Sequence, residues 1–199
     1  MTGNRGKVIL LLLLTCVSLT ACGKETGWQR VDLSEKPEFP DHVQFPAIVA
    51  RQSSDEVEDL EVRMLDLVGE GKDRDYYQAL VAYHHQGRDL IYMGRVIFSF
   101  EGRRSVGTSA GQWHTRDLDQ PVEYMVQQMQ GTKKFHYVAV WTNSPHVHQI
   151  HIEVNGQSFD IEGEDMIVLR WEAPTHGAVE HLEVTAFDED GKVIWQDEW

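Results

Sequence analysis

The sequence predicts a mostly β fold in which antiparallel strands pack as an Ig-like sandwich or barrel, with one short helix near the N-terminus. Two observations support this prediction. From residue 76 onward the chain is a series of short segments rich in aromatic and β-branched residues, the residue types that strands favour. Turn-forming residues separate these segments at intervals of roughly 8 to 15 residues, with no long helical pattern between them. Such spacing is typical of antiparallel sheets packed face to face.

The helix is expected at residues 55–69. Apolar side chains there fit a helical stripe, and Asp55 is a suitable N-cap. The same segment also fits a strand, because Leu60, Val62 and Met64 alternate with charged residues. We predict the helix and keep the strand as the alternative.

The sequence predicts two hairpins. Residues 77–85 and 90–100 flank Gln86-Gly87-Arg88-Asp89, a link of hairpin length. The second hairpin turns around Asp188-Glu189-Asp190-Gly191, where Gly191 can take the positive φ that a tight turn requires. The remaining predicted strands, with the two of this second hairpin, are residues 122–130, 135–142, 148–154, 166–172, 180–187 and 192–196.

The N-terminus is organised like that of an exported precursor. Two basic residues precede an apolar run at residues 8–14, which is shorter than the roughly 20 apolar residues that span a bilayer. The following Leu19-Thr20-Ala21-Cys22 resembles the lipobox of bacterial lipoprotein precursors. This resemblance implies a diacylglyceryl group on Cys22, cleavage before it, and a lipid anchor in the cell membrane on the extracytoplasmic side. Cys16 is a weaker candidate, because threonine precedes it where lipoproteins carry a smaller residue.

The lipobox divides the chain into parts. It implies a signal peptide at 1–21, a lipidated tether at 22–55 and a mostly β extracytoplasmic domain at 56–199. The domain is one unit or two sub-modules, 56–112 and 113–199. A first strand is expected within the tether at residues 43–49. Both cysteines of the chain precede the domain, so its stability must come from a hydrophobic core and not from a disulfide.

The charge balance disfavours negatively charged partners. The chain has 18 Lys and Arg against 32 Asp and Glu, a net charge of −14. A protein this acidic is repelled by nucleic acid and by anionic lipid headgroups. Its membrane attachment is therefore predicted to depend on the acyl chains. We interpret the acidity itself as a source of solubility beside an anionic envelope.

Three histidines provide the clearest chemical pattern. His146, His148 and His151 lie within six positions, at the start of a predicted strand. His146 and His148 are two residues apart and could chelate one metal ion. His151 points to the opposite face of the strand and cannot join them without a bulge. The third ligand of such a site would have to be His136, His176 or His181. We predict no metal site here and keep the histidine site as the alternative.

A second motif concerns a serine. Gly107-Thr108-Ser109-Ala110-Gly111 matches the G-x-S-x-G pattern of serine hydrolases. That chemistry requires a strand before the serine and a helix after it, whereas the following residues are polar and end in proline. The segment is better explained as a flexible Gly/Ser loop, so a hydrolase built on Ser109 is only the third hypothesis, and we predict no catalytic residue.

The C-terminal third completes the functional prediction. Its segments VAVWTN, HIEVNG, MIVLRWEAP and LEVTAFDEDGKVIW are similar to the closing segments of small uncharacterised secreted and lipid-anchored proteins of Gram-positive bacteria. The similarity implies an Ig-like sandwich and no particular activity. We predict a membrane-tethered extracytoplasmic lipoprotein that acts as a non-catalytic binding module. Its expected partners are the membrane, through the lipid, and an unknown envelope or extracellular ligand. No cofactor is expected.

Overall fold

Strands make up the regular structure throughout the described chain. The computed structural model describes residues 27–34, 58–72, 74–99, 108–129, 134–173 and 177–199. In these ranges there are twelve strands and no helix. The strands are β1 (Gln29–Arg30), β2 (Glu58–Glu70), β3 (Arg74–His85), β4 (Arg88–Ser99), β5 (Thr108–Thr115), β6 (Val122–Met129), β7 (Lys134–Thr142), β8 (Gln149–Val154), β9 (Gln157–Glu162), β10 (Met166–Ala173), β11 (Leu182–Phe187) and β12 (Val193–Glu198).

The strands form three four-stranded antiparallel sheets. The outer sheet has the order β2-β3-β4-β5, the middle sheet β1-β10-β7-β6, and the C-terminal sheet β12-β11-β8-β9. From β6 onward the chain alternates between the middle and C-terminal sheets, so that β6, β7 and β10 face β8, β9, β11 and β12. This is the connectivity of an Ig-like sandwich. The predicted mostly β, antiparallel fold class is confirmed.

The middle sheet is buried on both faces. Every side chain from 135 to 141 on β7 is buried, and strand alternation divides them between two cores. Val138 and Val140 belong to the core shared with the C-terminal sheet. Tyr137 and Ala139 belong to the core shared with the outer sheet. The fold therefore consists of three stacked sheets with β7 at the centre.

The helix predicted at residues 55–69 is wrong over the described residues 58–69, where the strand alternative is correct. Residues 58–70 form β2, which pairs with β3 along its whole length. The register shifts at three places, between Glu58 and Glu61, between Val62 and Met64, and between Leu67 and Gly69. Each shift inserts an extra residue and reverses the alternation of faces. The irregular apolar spacing that looked helical is the result of these bulges.

Other parts of the chain are more strand-rich than predicted. β5 occupies residues 108–115, of which 108–111 were expected to be a flexible Gly/Ser loop, and β1 and β9 were not predicted. The C-terminal hairpin is confirmed, since β11 and β12 pair and Gly191 has φ +75°. In the described ranges, no helix is long and apolar enough to cross a membrane. The signal peptide, Cys22 and the strand expected at residues 43–49 lie outside the described residues.

Candidate functional site

Two loops lie side by side at one end of the sandwich and form the walls of an open recess of about 590 Å³. One loop connects β7 to β8, and the other is the turn between β11 and β12. We call this recess the loop-end cavity. Its lining residues are Pro121, Ser144, Pro145, His146, His148, Asp188, Glu189, Asp190 and Ile194. Two of the predicted histidines and the acidic turn thus lie together, although about 40 residues separate them in the chain.

Local hydrogen bonds shape the histidine loop. The His146 backbone N–H donates to the Ser144 hydroxyl at 3.3 Å, and Val147 N–H donates to the Ser144 carbonyl at 3.2 Å. His148 N–H then joins the sheet by donating to the Phe187 carbonyl at 2.8 Å. These bonds are a serine-initiated turn. They leave both imidazoles exposed at the cavity.

The acidic turn is fixed by one of its own carboxylates. Asp188 accepts hydrogen bonds from the backbone N–H groups of Asp190 at 3.1 Å and Lys192 at 2.9 Å. Gly191 adopts φ +75°, a conformation in which glycine is unstrained. The side chains of Glu189 and Asp190 remain exposed. Asp188 therefore shapes the turn, while Glu189 and Asp190 can meet a ligand.

The charges around the cavity have one sign. Three carboxylates and two imidazoles line it, and the described residues of the lining include no lysine or arginine. A recess lined by one sign of charge concentrates the electric field and attracts counter-charges. Across the described residues, no three His, Cys, Asp or Glu side chains are placed so that they could hold a metal ion. The cavity suits a ligand with a positive charge better than a fully coordinated metal.

The third histidine of the motif is elsewhere, as strand alternation predicts. Ile150, Ile152 and Val154 face the core of β8, and His151 lies on the opposite face. His151 Nδ1 is 2.8 Å from an oxygen of Asp160 on β9. His148 is exposed and precedes the first residue of β8. The structure therefore brings together only two of the three histidines.

The other histidines considered as ligands are also remote from the cavity. His181 is near the opposite end of the sandwich, 3.6 Å from Glu198. His136 is buried in the middle sheet, with its ring centroid 5.4 Å from that of Trp171. His176 lies outside the described residues. None of the described histidines completes a site with His146 and His148.

The described residues of the G-x-S-x-G motif, 108–111, lie on β5, and no helix follows them there. Ser109 is in this strand, which continues to Thr115. The Ser109 side chain is not among those that the structure describes. Gly111 pairs with Gly94 on β4, and the Tyr92 side chain lies directly over both glycines. A Cβ at either position would collide with Tyr92. The second glycine of the motif is explained by this close packing and needs no catalytic role.

Comparison with known proteins identifies no relative of this chain. No family model, no curated protein and no solved structure matches the chain.

Sequence reasoning missed the acidic half of the cavity. Asp188-Glu189-Asp190 was interpreted only as a hairpin turn, and that is also what it forms. Its position opposite His146 and His148 depends on which loops share an end of the sandwich. The sequence did contain a signal of this. The histidines lie at the start of the strand predicted at 148–154 and the acidic turn follows the strand predicted at 180–187, and an Ig-like strand order would place these two strands side by side.

Proposed function

We propose that this protein is a membrane-tethered, extracytoplasmic, non-catalytic binding module that captures a positively charged ligand in the loop-end cavity. The observation that carries the proposal is the shared cavity of the histidine loop and the acidic turn. Loops held at the end of a rigid sandwich are a common place for binding residues. The volume of about 590 Å³ is within the range of small-ligand sites, roughly 300 to 1,000 Å³.

Attraction of a cation is supported by the location of the carboxylates. Glu189 and Asp190 are exposed at the mouth of the recess. Exposed carboxylates at a binding site mainly raise the rate of encounter and make affinity depend on salt. Binding of a cationic ligand should therefore weaken as ionic strength rises.

Titration with tetralysine tests this proposal. The probe is added to the soluble Cys22→Ser chain, residues 22–199, in a calorimeter at low salt. We expect Glu189→Gln with Asp190→Asn to weaken binding by about tenfold. Glu180→Gln with Glu198→Gln is the matched control, since both are exposed carboxylates at the opposite end of the sandwich, Glu180 near Asn155 and Glu198 near His181. Equal loss in the control would mean that only the net charge matters, and the cavity would not be the site.

A second candidate function is metal binding by His146 and His148. It is favoured by the fact that both imidazoles line the same cavity as three carboxylates. Because no three ligands are already assembled in the described chain, we expect zinc to bind no more tightly than about 1 µM. Nanomolar zinc binding that disappears in a His146→Ala, His148→Ala double variant would make this the better function.

A further inference from the structure

A third loop forms part of the wall of the loop-end cavity. This third loop, residues 116–121, joins β5 to β6 and brings Pro121 into the lining. The Asn143 backbone N–H donates to the Pro121 carbonyl at 2.9 Å, which ties the third loop to the histidine loop. The Trp195 ring N–H donates to the Gln120 side chain at 3.3 Å, which ties it to β12. Hydrogen bonds therefore connect the three walls of the cavity.

The backbone of the third loop is held in one conformation. The Asp117 carboxylate accepts from the Asp119 backbone N–H at 3.1 Å, and the Asp117 carbonyl accepts from the Gln120 N–H at 3.0 Å. The side-chain amide of Asn143 donates to the Asp117 and Gln120 carbonyls, both at 3.2 Å. Leu118, in the middle of this loop, is therefore presented to water from a fixed backbone.

Exposed apolar side chains are concentrated beside the cavity. Six large apolar side chains of the described residues are exposed. Three of them lie in the third loop or at the start of β12, namely Leu118 at 65%, Val193 at 47% and Ile194 at 36%. Ile194 lines the cavity itself, together with Pro121 and Pro145. A group of exposed apolar side chains on a soluble surface marks an interaction site.

The same walls have an excess of negative charge. The third loop and the acidic turn at 188–192 contain five carboxylates against two basic side chains. Of the two bases, Arg116 donates to the Asn143 side-chain oxygen at 2.6 Å, and Lys192 is not part of the lining. Charge complementarity favours a basic partner. The five carboxylates are Asp117, Asp119, Asp188, Glu189 and Asp190.

A recess with both apolar and acidic walls fits a ligand that is both apolar and basic. We propose that the loop-end cavity binds a basic peptide segment in which an apolar side chain is flanked by lysine or arginine. The apolar side chain packs against Ile194 and the third loop, and the carboxylates attract the basic residues on either side. This inference rests on the proposed function and adds the class of ligand to it.

The lining also distinguishes this ligand from other cations. Burial of an apolar side chain adds affinity in proportion to the area removed from water, and proline walls lose little entropy on binding. Quaternary ammonium groups are held by aromatic rings, whereas the described lining contains no Phe, Tyr or Trp. A small polyamine and a purely hydrophilic polycation are the competing ligands.

Two capped peptides that differ at one position test the proposal. Lys-Lys-Leu-Lys-Lys and Lys-Lys-Ser-Lys-Lys have the same charge and length. Each is titrated into the full-length protein in an uncharged detergent and followed by calorimetry, with titration into the detergent alone as the blank. We expect the leucine peptide to bind about tenfold more tightly. Spermidine, which has no apolar side chain, should bind no more tightly than the serine peptide.

Variants separate the apolar part of the contact from the charged part. Leu118→Ser and Ile194→Ser should each reduce the advantage of the leucine peptide to about threefold or less and leave binding of the serine peptide unchanged. Glu189→Gln with Asp190→Asn should weaken both peptides by the same factor. Leu67→Ser is the matched control, because Leu67 is 43% exposed on β2 and does not line the cavity.

The outcomes distinguish this inference from the proposed function. Equal binding of the two peptides would overturn the inference and leave the proposed function intact. So would a leucine advantage that persists in the Leu118→Ser, Ile194→Ser double variant, or tighter binding of spermidine than of either peptide. If neither peptide binds, the proposed function fails and the inference fails with it. Thermal melting accompanies each variant, and Ile194→Thr replaces Ile194→Ser if the serine variant does not fold.

Discussion

At the residue scale, Glu123 shows how a buried charge is stabilised. Its side chain is 7% exposed. Its oxygens accept hydrogen bonds from His114 at 2.5 Å, Asn143 at 2.6 Å and Trp141 at 3.0 Å, and from the Asp117 backbone. Burial alone would raise the pKa of Glu123, but these bonds outweigh burial and hold the pKa below its ordinary value of 4.5. The carboxylate therefore joins the outer sheet to the middle sheet in its charged form.

This network predicts the acid sensitivity of the fold. Because the pKa of Glu123 is lower in the folded state, its contribution to stability is present above pH 4.5 and is lost as pH falls through the folded value. We expect Glu123→Gln to lower the free energy of unfolding by about 1–3 kcal/mol at pH 7. The difference from wild type should shrink in acid. Urea unfolding from pH 7 to pH 3 measures it, and a constant difference would contradict this account.

At the element scale, β4 and β5 depend on a tyrosine that covers two glycines. Gly94 and Gly111 are opposite each other, and Tyr92 lies over both. A Cβ at Gly94 would be 2.6 Å from the Gly111 Cα, which is too close for any side chain. The covered pair allows a Gly- and Ser-rich segment to remain in a strand.

Substitution at Gly111 should separate this packing role from any catalytic one. We expect Gly111→Ala to lower the free energy of unfolding by about 1–3 kcal/mol, because the tightly packed tyrosine must move. Ser109→Ala should leave stability within about 0.5 kcal/mol of wild type. Denaturant unfolding measures both. If Gly111→Ala is as stable as wild type, Tyr92 does not constrain the strand.

The C-terminal hairpin provides a second test at this scale. β12 pairs with β11 from Glu183 to Phe187, and Trp195 packs against the core of the sandwich. Deleting residues 192–199 would leave the edge of β11 unpaired and expose apolar surface. We expect the truncated chain to lose a large part of the 5–15 kcal/mol typical of a domain and to aggregate. Cooperative melting at the wild-type temperature would show that β12 contributes nothing.

These elements also show what local sequence can and cannot specify. The hairpin around Gly87 and the one around Gly191 were predictable, because alternating apolar residues flank a turn that glycine favours. β2 was misassigned because its bulges break the period of two. β5 was missed because the residue that stabilises it, Tyr92, lies on another strand. Pairing across strands is not visible in a local pattern.

At the scale of the whole molecule, an ionic group joins the outer and middle sheets. Arg170 on β10 donates to both oxygens of Asp66 on β2 at 2.8 and 2.7 Å, and the Tyr137 hydroxyl donates to Asp66 at 2.8 Å. Burial, and then the charge of Asp66, raises the pKa of Tyr137, so this hydroxyl remains a donor. A charge pair satisfied in this way helps to fix how two sheets are packed.

The loop-end cavity forms only when distant parts of the chain come together in the whole molecule. The sequence therefore predicted only some of its residues. His146 and His148 were recognisable as a pair, but the carboxylates that face them are about 40 residues away. Which loops and edges become neighbours is decided by the topology of the complete fold.

The predicted anchor concerns the whole molecule as well. The resemblance of Leu19-Thr20-Ala21-Cys22 to a lipobox predicts a diacylglyceryl group on Cys22, whose two acyl chains give stable attachment where a single chain is marginal. We expect Cys22→Ser to abolish labelling by a palmitate analogue and to release the protein from the membrane fraction. Cys16→Ser is the control and should label normally. A wild-type protein that never labels and fractionates as soluble would rule out the anchor.

The central claim is that the loop-end cavity is a ligand site for a cation, and amide NMR tests it most directly. Tetralysine is titrated into the isotope-labelled Cys22→Ser chain, residues 22–199, at low salt. We expect saturable shifts confined to the loop at 144–148 and the turn at 188–191, which weaken as salt is added. Shifts that do not saturate, or that spread over acidic residues on every face, would show that the cavity has no special affinity and would contradict the proposed function.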